Sequence, residues 1–477
     1  MNRKVRSCPG CRHESCAGCG IFMKLNTNKH VPVNLPENFC PEAQTGFGIS
    51  FDLGTTALSG MLWDLEQGVC LGAGSMTNPQ VKWGTDVISR LQTALQGKEE
   101  LMQLQTAVVQ ALDQLAFQIV NKDFGQMVNL EKVVIVGNTA MCQLLMGISP
   151  EGLVRAPFRP DYNESKCFKG NQLGFVFLKD TEIYVLRPIG GYVGADALAL
   201  YSWICMQHSA MNKKILAVDI GTNGEILLLS PEGHYACSVA AGPALEGCGA
   251  ACGMRAVSGA VDMVTVGGQF PLQDVICRVI DGAVPKGICG SGLLDALAVL
   301  YGVSVLDDTG YFRSREEAQS AGVPGRIASR IEESNKGRRI LLTDKEHPVY
   351  LYAKDVRQLQ VAIGAIRAGI EIMLEKANMQ AEELDEIYLA GTFGSYIGIE
   401  NSMELGLLPK VKKDKIIRAG NPAGTGAAMA LLSFEFMNRT EKWAEVPVHV
   451  ELAGDKRFEE LFLRYMNPGT QSEESIF

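Results

Sequence analysis

Two short stretches of this chain repeat one another, and any fold it adopts has to accommodate both. FGISFDLGTTALSGMLWDLEQG alternates apolar and small residues on either side of a tight Gly-Thr-Thr connection, which predicts two strands joined by a turn. The same grammar returns in ILAVDIGTNGEILLLSPEG, where Asp52, Gly54 and Thr55 reappear at the same mutual spacing as Asp219, Gly221 and Thr222. A lone Asp-x-Gly is a common hairpin signal. Two copies, each linking one apolar strand to another, point to an internal duplication. The residue types also suit one chemistry: glycine lets the backbone approach a phosphate, and turn amides and hydroxyls donate to its oxygens. A carboxylate at a strand end can hold hydrated magnesium, which is usually bound through one or two carboxylates plus phosphates. Asp52 and Asp219 are assigned that role. Gly54, Thr55 and Thr56 in the first turn, and Gly221, Thr222, Asn223 and Gly224 in the second, are the phosphate-facing positions.

Between the copies the sequence predicts a helix near Leu101 to Val120, then KVVIVGNTAMCQLLMG, a buried strand turning at Gly137-Asn138 into a helix. The layout is mixed α/β. Beyond the second copy, PKGICGSGLLDALAVLYG reads as a Gly-rich turn opening a helix, where Gly287, Gly290, Ser291 and Gly292 present amides suited to phosphate. The polar run from Asp307 to about Lys345 is expected to be a surface insertion. Val356, Leu359, Ile363, Ile366, Ile370 and Leu374 recur at helical spacing and predict one face of a long amphipathic helix. DEIYLAGTFGSYIG then gives a strand and turn, RAGNPAGTGAAMALLS a turn and helix start, and Phe458 to Met466 a closing helix. The expected organisation is a Cys-rich segment over 1–45, one lobe over 46–210, a second over 211–435 and a tail over 436–477.

At 477 residues the chain has room for about three domains. With 47% hydrophobic and 20% charged residues it matches an ordinary globular composition, and no apolar run reaches the roughly 18 residues needed to span a bilayer. MNRKVRSCPGC lacks an apolar stretch after its basic residues, so no secretory signal is read and a cytoplasmic location is expected. A net charge of -9 argues against a nucleic-acid partner, whose phosphates demand clustered Lys and Arg.

Four of the fourteen cysteines crowd together as Cys8, Cys11, Cys16 and Cys19, with Cys40 a fifth candidate, and in a reducing compartment such a group is a metal site rather than a disulfide framework. The remaining cysteines stand singly in apolar segments and are expected to serve as small core residues. Paired Cys-x2-Cys suits a structural zinc and an iron-sulfur cluster alike. Cys11-x4-Cys16-x2-Cys19 with Cys40 mimics the plant-type 2Fe-2S spacing, but its last gap is shorter and the strands that normally precede that loop are missing. This favours 4Fe-4S, with 2Fe-2S as the alternative; which four of the five cysteines ligate stays open.

FDLGTT and VDIGTNGE resemble the two phosphate motifs of the group that contains acetate and sugar kinases, Hsc70 chaperones and actin. VIVGNTAM resembles the first connecting motif of that group, LAGTFG its adenosine motif and GNPAGTGAA its second connecting motif, so the likeness runs from about Gly46 to Ser433. It implies a two-lobed actin-like, ribonuclease H-like duplicated α/β fold with ATP and Mg2+ in a cleft. Gly391, Thr392 and Gly394 would lie near the adenosine, Gly424 would belong to the nucleotide-binding positions, and the connecting motifs would form a hinge. Asp196 and Glu225 are the two candidates to orient the attacking water, since several relatives place an acidic residue just before the second phosphate motif.

A narrower resemblance rests on NPQVKWGTDVISR, APFRPDY, GYVGADAL, AAGPALEG, GMRAVSGAV, GICGSGLLDAL and RQLQVAIGAIRAGIEIML together with the motifs above. These are similar to the reductive activators of corrinoid-dependent methyltransferases. The family implies ATP-dependent transfer of single electrons from an iron-sulfur cluster to an inactive Co(II) corrinoid protein, a ferredoxin or flavodoxin donor, and a homodimer. Its well-known members carry a complete 2Fe-2S ferredoxin domain or a C-terminal pair of clusters, whereas here residues 1–45 stand before the actin-like region. Related activators of double-cubane proteins and of 2-hydroxyacyl-CoA dehydratases use 4Fe-4S centres, so another low-potential metalloprotein is the alternative acceptor. Asn78, Gln80, Asp86 and Arg90 are assigned to the acceptor side, although a helix start with an exposed Arg explains them equally well. A small-molecule kinase with a structural zinc, or a nucleotide-driven scaffold, are the competing classes; both predict a chain without iron.

Overall fold

A computed structural model of the chain describes residues 33, 35–123, 129–208, 212–394 and 396–467. They form two compact units. One holds the described residues up to 208 together with Asn421–His449, and the other holds Asn212–Gly420 and the chain from Val450 onward.

In the first unit the strands are β1 (Phe47–Leu53), β2 (Ala57–Asp64), β3 (Val69–Thr77), β4 (Leu130–Gly137), β5 (Lys166–Lys169) and β6 (Glu182–Val185), in the order β3-β2-β1-β4-β6-β5. β1 pairs antiparallel with β2 and parallel with β4, and β4 pairs parallel with β6. The alternation in β1 sends Ile49, Phe51 and Leu53 into a core shared with Leu112, Leu115 and Ile119 of helix Lys98–Asp123. β4 is central and covered on both faces, so Val133, Val134, Ile135 and Val136 are all fully buried rather than alternating.

The second unit contains β7 (Ile215–Ile220), β8 (Gly224–Ser230), β9 (Gly233–Val239), β10 (Ala260–Gly267), β11 (Asp274–Val279), β12 (Gly287–Ile288), β13 (Ile331–Glu332), β14 (Arg339–Leu341), β15 (Tyr350–Tyr352), β16 (Glu386–Ala390) and β17 (Ile416–Gly420). Its main sheet runs β17-β16-β7-β8-β9, with small sheets β11-β10-β12 and β13-β14-β15 beside it. β7 pairs antiparallel with β8 and parallel with β16, and β16 pairs parallel with β17. The first unit shows the same wiring around β1, so the duplicated turn motif marks a duplicated sheet.

Helix Ala353–Lys376 buries Val356, Leu359, Ile363, Ile366, Ile370 and Leu374 as the spacing predicts, and it also buries Ala362, Ala365 and Gly369. The covered arc is wider than one face because two partners share it. A Cβ on Gly369 would lie 2.6 Å from Ile226 of β8, and one on Gly364 would lie 2.9 Å from the Phe462 carbonyl of the closing helix Lys456–Tyr465.

The stretch 307–345 corrects the expectation of a surface insertion. It folds into helices Arg315–Ser320 and Gly325–Ala328 with β13 and β14, and it delivers Phe312, Ala318, Val323, Ile327, Ile331 and Ile340 to the core. The charges that gave it a polar look sit outside this apolar minority and are paired, Arg330 with Asp274 of β11 at 2.6 Å, and within the stretch Arg338 with Glu333 at 2.7 Å and Arg339 with Glu332 at 2.9 Å.

Before β1 the chain is pinned by the Glu42 carboxylate, which accepts from Ser433 Oγ at 2.6 Å and from the amides of Phe434 and Glu435 at the start of helix Phe434–Trp443. Phe39 packs edge-on against Phe436, with ring centroids 5.7 Å apart. Of the single cysteines, Cys70, Cys142, Cys237 and Cys289 are buried, Cys205, Cys248, Cys252 and Cys277 are half-buried, and Cys167 is exposed, so the core role holds for only part of the set. Among the described residues no helix is long and apolar enough to cross a membrane.

Candidate nucleotide-phosphate site

In the first unit the site begins where β1 ends. Asp52 points away from the Phe51 and Leu53 face, and its Oδ2 accepts a hydrogen bond from Asn421 Nδ2 at 2.9 Å. Asn421 is the N-cap of helix Pro422–Leu432, and its Oδ1 takes the Gly424 amide at 2.8 Å. One side chain therefore starts a helix and orients the magnesium candidate. An Asn directly before a helix-opening Pro is a recognisable cap signal, but nothing local says that the same Asn reaches Asp52.

Asp196 arrives beside Asp52 through backbone packing. A Cβ on Gly137 would sit 2.5 Å from the Leu53 carbonyl, and one on Gly194 would sit 2.4 Å from the Gly137 carbonyl, so these positions must be glycine for the three segments to stack. Asp196 then enters the first turn of helix Ala195–Gln207 with its Oδ1 on the Ala197 amide at 2.8 Å. Burial and the neighbouring Asp52 carboxylate push the Asp196 pKa up to about 7. Burial also raises that of Asp52, against the opposing pull of Asn421. A carboxyl poised near neutrality is suited to accept a proton from water.

Asn78 braces the Gly54-Thr55-Thr56 turn from behind. Its Nδ2 donates to the Gly54 carbonyl at 2.9 Å, and its backbone amide donates to Thr56 at 2.9 Å. Asn78, Gln80 and Arg90 are fully buried, which removes them from any acceptor-facing surface. Arg90 Nε donates to the Gly84 carbonyl at 2.9 Å and Nη1 to Gln80 Oε1 at 3.4 Å, and burial draws its pKa down to about 10. Asp86 caps helix Val87–Ala94 through the Ser89 amide at 2.9 Å. The motif is thus an internal strut for the turn. Asn78→Ala removes a buried bond and the cap on the Gln80 amide at 3.0 Å, and should cost about 1–3 kcal/mol of stability in urea denaturation; an unchanged midpoint would refute the bracing role.

In the second unit Asp219 is the penultimate residue of β7 and stands opposite Glu225 in the β7–β8 ladder, so the two carboxylate-bearing residues share a face. Gly391 opens the short helix Gly391–Gly394 with φ +81°, and a Cβ there would lie 2.4 Å from Asp219 Oδ1. Only glycine lets this backbone come so near the carboxylate. Gly394 stacks on the Leu389 backbone of β16; the Thr392 side chain lies outside the described set. Gly221 donates its amide to the Asn223 carbonyl at 3.1 Å, and Gly224 packs under Val239.

The Thr222 amide donates to Glu246 Oε1 at 2.9 Å and the Thr222 hydroxyl to Glu246 Oε2 at 3.3 Å. Sequence reading missed Glu246, which sits in a separate motif, AAGPALEG. Gly290 and Ser291 face inward: a Cβ on Gly290 would meet the Leu245 carbonyl at 1.8 Å, and Ser291 Oγ donates to the Asp262 carbonyl at 2.9 Å.

Cys8, Cys11, Cys16 and Cys19 lie outside the described residues, and Cys40 is exposed. Among the described residues no group of three or more His, Cys, Asp or Glu is placed to hold a metal ion.

Residues 213–475 match the family described as the C-terminal domain of RACo, the ASKHA domain, and residues 47–209 match the RACo middle region. The chain is 33% identical over 422 residues to the corrinoid activation enzyme RamQ of Eubacterium limosum, an alignment covering 87% of this chain and 69% of that protein. It is 25% identical over 458 residues to a [Co(II) methylated amine-specific corrinoid protein] reductase of Methanosarcina barkeri, covering 89% and 77%. The solved structure of a reductive activator for a corrinoid, iron-sulfur protein superposes with a TM-score of 0.79 at 29% identity, covering 89% of this chain and 66% of that one.

Proposed function

Because the chain belongs to the RACo family, we propose that it is an ATP-dependent reductase that returns an inactive Co(II) corrinoid protein to Co(I) by single-electron transfer. The observation that carries this reading is the 33% identity, across 87% of the chain, to an enzyme named for corrinoid activation. The duplicated turns supply the chemistry such an enzyme needs. They fit phosphate: the Thr222 amide and hydroxyl together grip an anionic group, here the Glu246 carboxylate. Each turn is a candidate phosphate-binding element for ATP, and Asp52 and Asp219 are the candidate ligands of hydrated Mg2+. Asp196 would orient and deprotonate water, with Glu225 as the alternative.

Electrons would come from a ferredoxin or flavodoxin and pass through an iron-sulfur cluster on four of Cys8, Cys11, Cys16, Cys19 and Cys40, 4Fe-4S being favoured. Hydrolysis can drive an uphill electron transfer only through states that differ in affinity for nucleotide and partner. The working form is a homodimer in the cytoplasm, where thiolate ligands stay reduced.

The test is an anaerobic incubation with a Co(II) corrinoid protein and a low-potential reductant. The Co(I) absorption band should accumulate with ATP and stay near baseline without it; equal Co(I) in both arms would overturn the proposal. Iron and sulfide analysis of anaerobically purified protein checks the cluster independently. A colourless, zinc-bearing chain would turn the reading toward a kinase.

A further inference from the structure

We propose that Glu246 competes with the nucleotide for the second phosphate turn, and so sets the affinity for nucleotides long enough to reach it. The inference rests on the reading of that turn as a phosphate site. Thr222 offers two donors there, its amide and its hydroxyl, and Glu246 takes one with each carboxylate oxygen, at 2.9 and 3.3 Å. These are charge-assisted bonds of the kind a phosphate oxygen would make. Neither donor can serve both acceptors at full strength, and a carboxylate left in place would stand against the negative charge of the phosphate.

The surrounding backbone leaves the side chain as the element that yields. The Pro243–Glu246 turn is fixed to the same residue, with the Gly242 amide on the Thr222 carbonyl at 2.8 Å. It is wedged from below as well, since the Leu245 carbonyl fills the space where Gly290 lacks a Cβ, and the Met254 carbonyl does the same at Gly247. Glu246 itself is only half-buried, so rotation of its side chain exchanges the protein's own anion for the ligand's while the turn stays in register.

The predicted signature depends on phosphate number. Binding of ATP, ADP and AMP is measured by calorimetry on the full-length protein with Mg2+, for wild type, Glu246→Ala and Glu246→Gln. Loss of a competing charge-assisted contact should tighten ATP and ADP about tenfold in Glu246→Ala. Glu246→Gln, which keeps the shape and sheds the charge, should show a smaller gain, and AMP should bind all three proteins alike. Weaker ATP and ADP binding in both variants would overturn the proposal by making Glu246 a supporter of the site. An equal shift for AMP would overturn it by showing a general disturbance of the loop. A wild-type chain that binds none of the three nucleotides would instead overturn the phosphate reading, with Glu246 following it.

Discussion

Replacing Asp52 with Ala should lower ATP hydrolysis by on the order of a hundredfold or more while leaving the protein no less stable. The first half follows from chemistry: a carboxylate that holds magnesium against a phosphoryl group acts on charge that develops in the transition state, and groups in such roles are worth factors of about 100–1,000. The second half follows from electrostatics. Burial raises the Asp52 pKa, so the fold bears a cost for the charge, offset in part by Asn421 Nδ2 at 2.9 Å. Removing the carboxylate removes that cost. It also frees one donor of Asn421, whose other end still caps its helix through the Gly424 amide. A residue kept for packing would behave in the opposite way, with stability and activity falling together. Phosphate release assays paired with thermal melts separate the two cases, and unchanged hydrolysis in Asp52→Ala would refute the magnesium assignment. Asp52→Asn, which still offers Asn421 an acceptor, should be equally inactive.

The features legible in the sequence were those written in local periodicity. The two Asp-x-Gly-Thr turns announced a duplication, and the matching strand orders around β1 and β7 bear it out. The long helix is readable from its spacing alone. What escaped was contact between distant segments. Asn421 looks like an ordinary cap, and its bond to Asp52 spans 369 positions. Glu246 reaches Thr222 across 24 residues and two strands, from a turn whose own signal is only its glycines.

Polarity hides two buried features. Stretch 307–345 is charged, yet a sparse set of apolar residues suffices to bury it once the charges pair beside them. Arginine is usually exposed, which makes Arg90 look like a surface residue. Here Gly84, Gln80 and Met141 receive its guanidinium inside the unit.

Asp196 carries the second large expectation, and it concerns pH. Burial and the nearby Asp52 carboxylate lift its pKa from the usual 3.8 to about 7 in the folded chain. Between those values the folded state holds a proton that the unfolded state has released, so the contribution of Asp196 to stability is greatest below about pH 4 and is lost as pH rises through 7. Asp196→Asn removes that dependence. In EDTA and without nucleotide the variant should exceed wild type by only about 1 kcal/mol near pH 4.5 and by on the order of 2–4 kcal/mol at pH 8, a range reduced to allow for partial solvent exposure. The sign follows from the direction of the shift: a raised carboxyl penalises the charged form that dominates at pH 8. Hydrolysis should move the other way, because an amide cannot take a proton from water, and the acidic limb of the rate profile near pH 7 should vanish with it. Denaturation curves at pH 4.5, 6 and 8 decide the matter. A stability difference that stays constant across all three would show that neither burial nor Asp52 raises the Asp196 pKa, and would remove the basis for its role as the base.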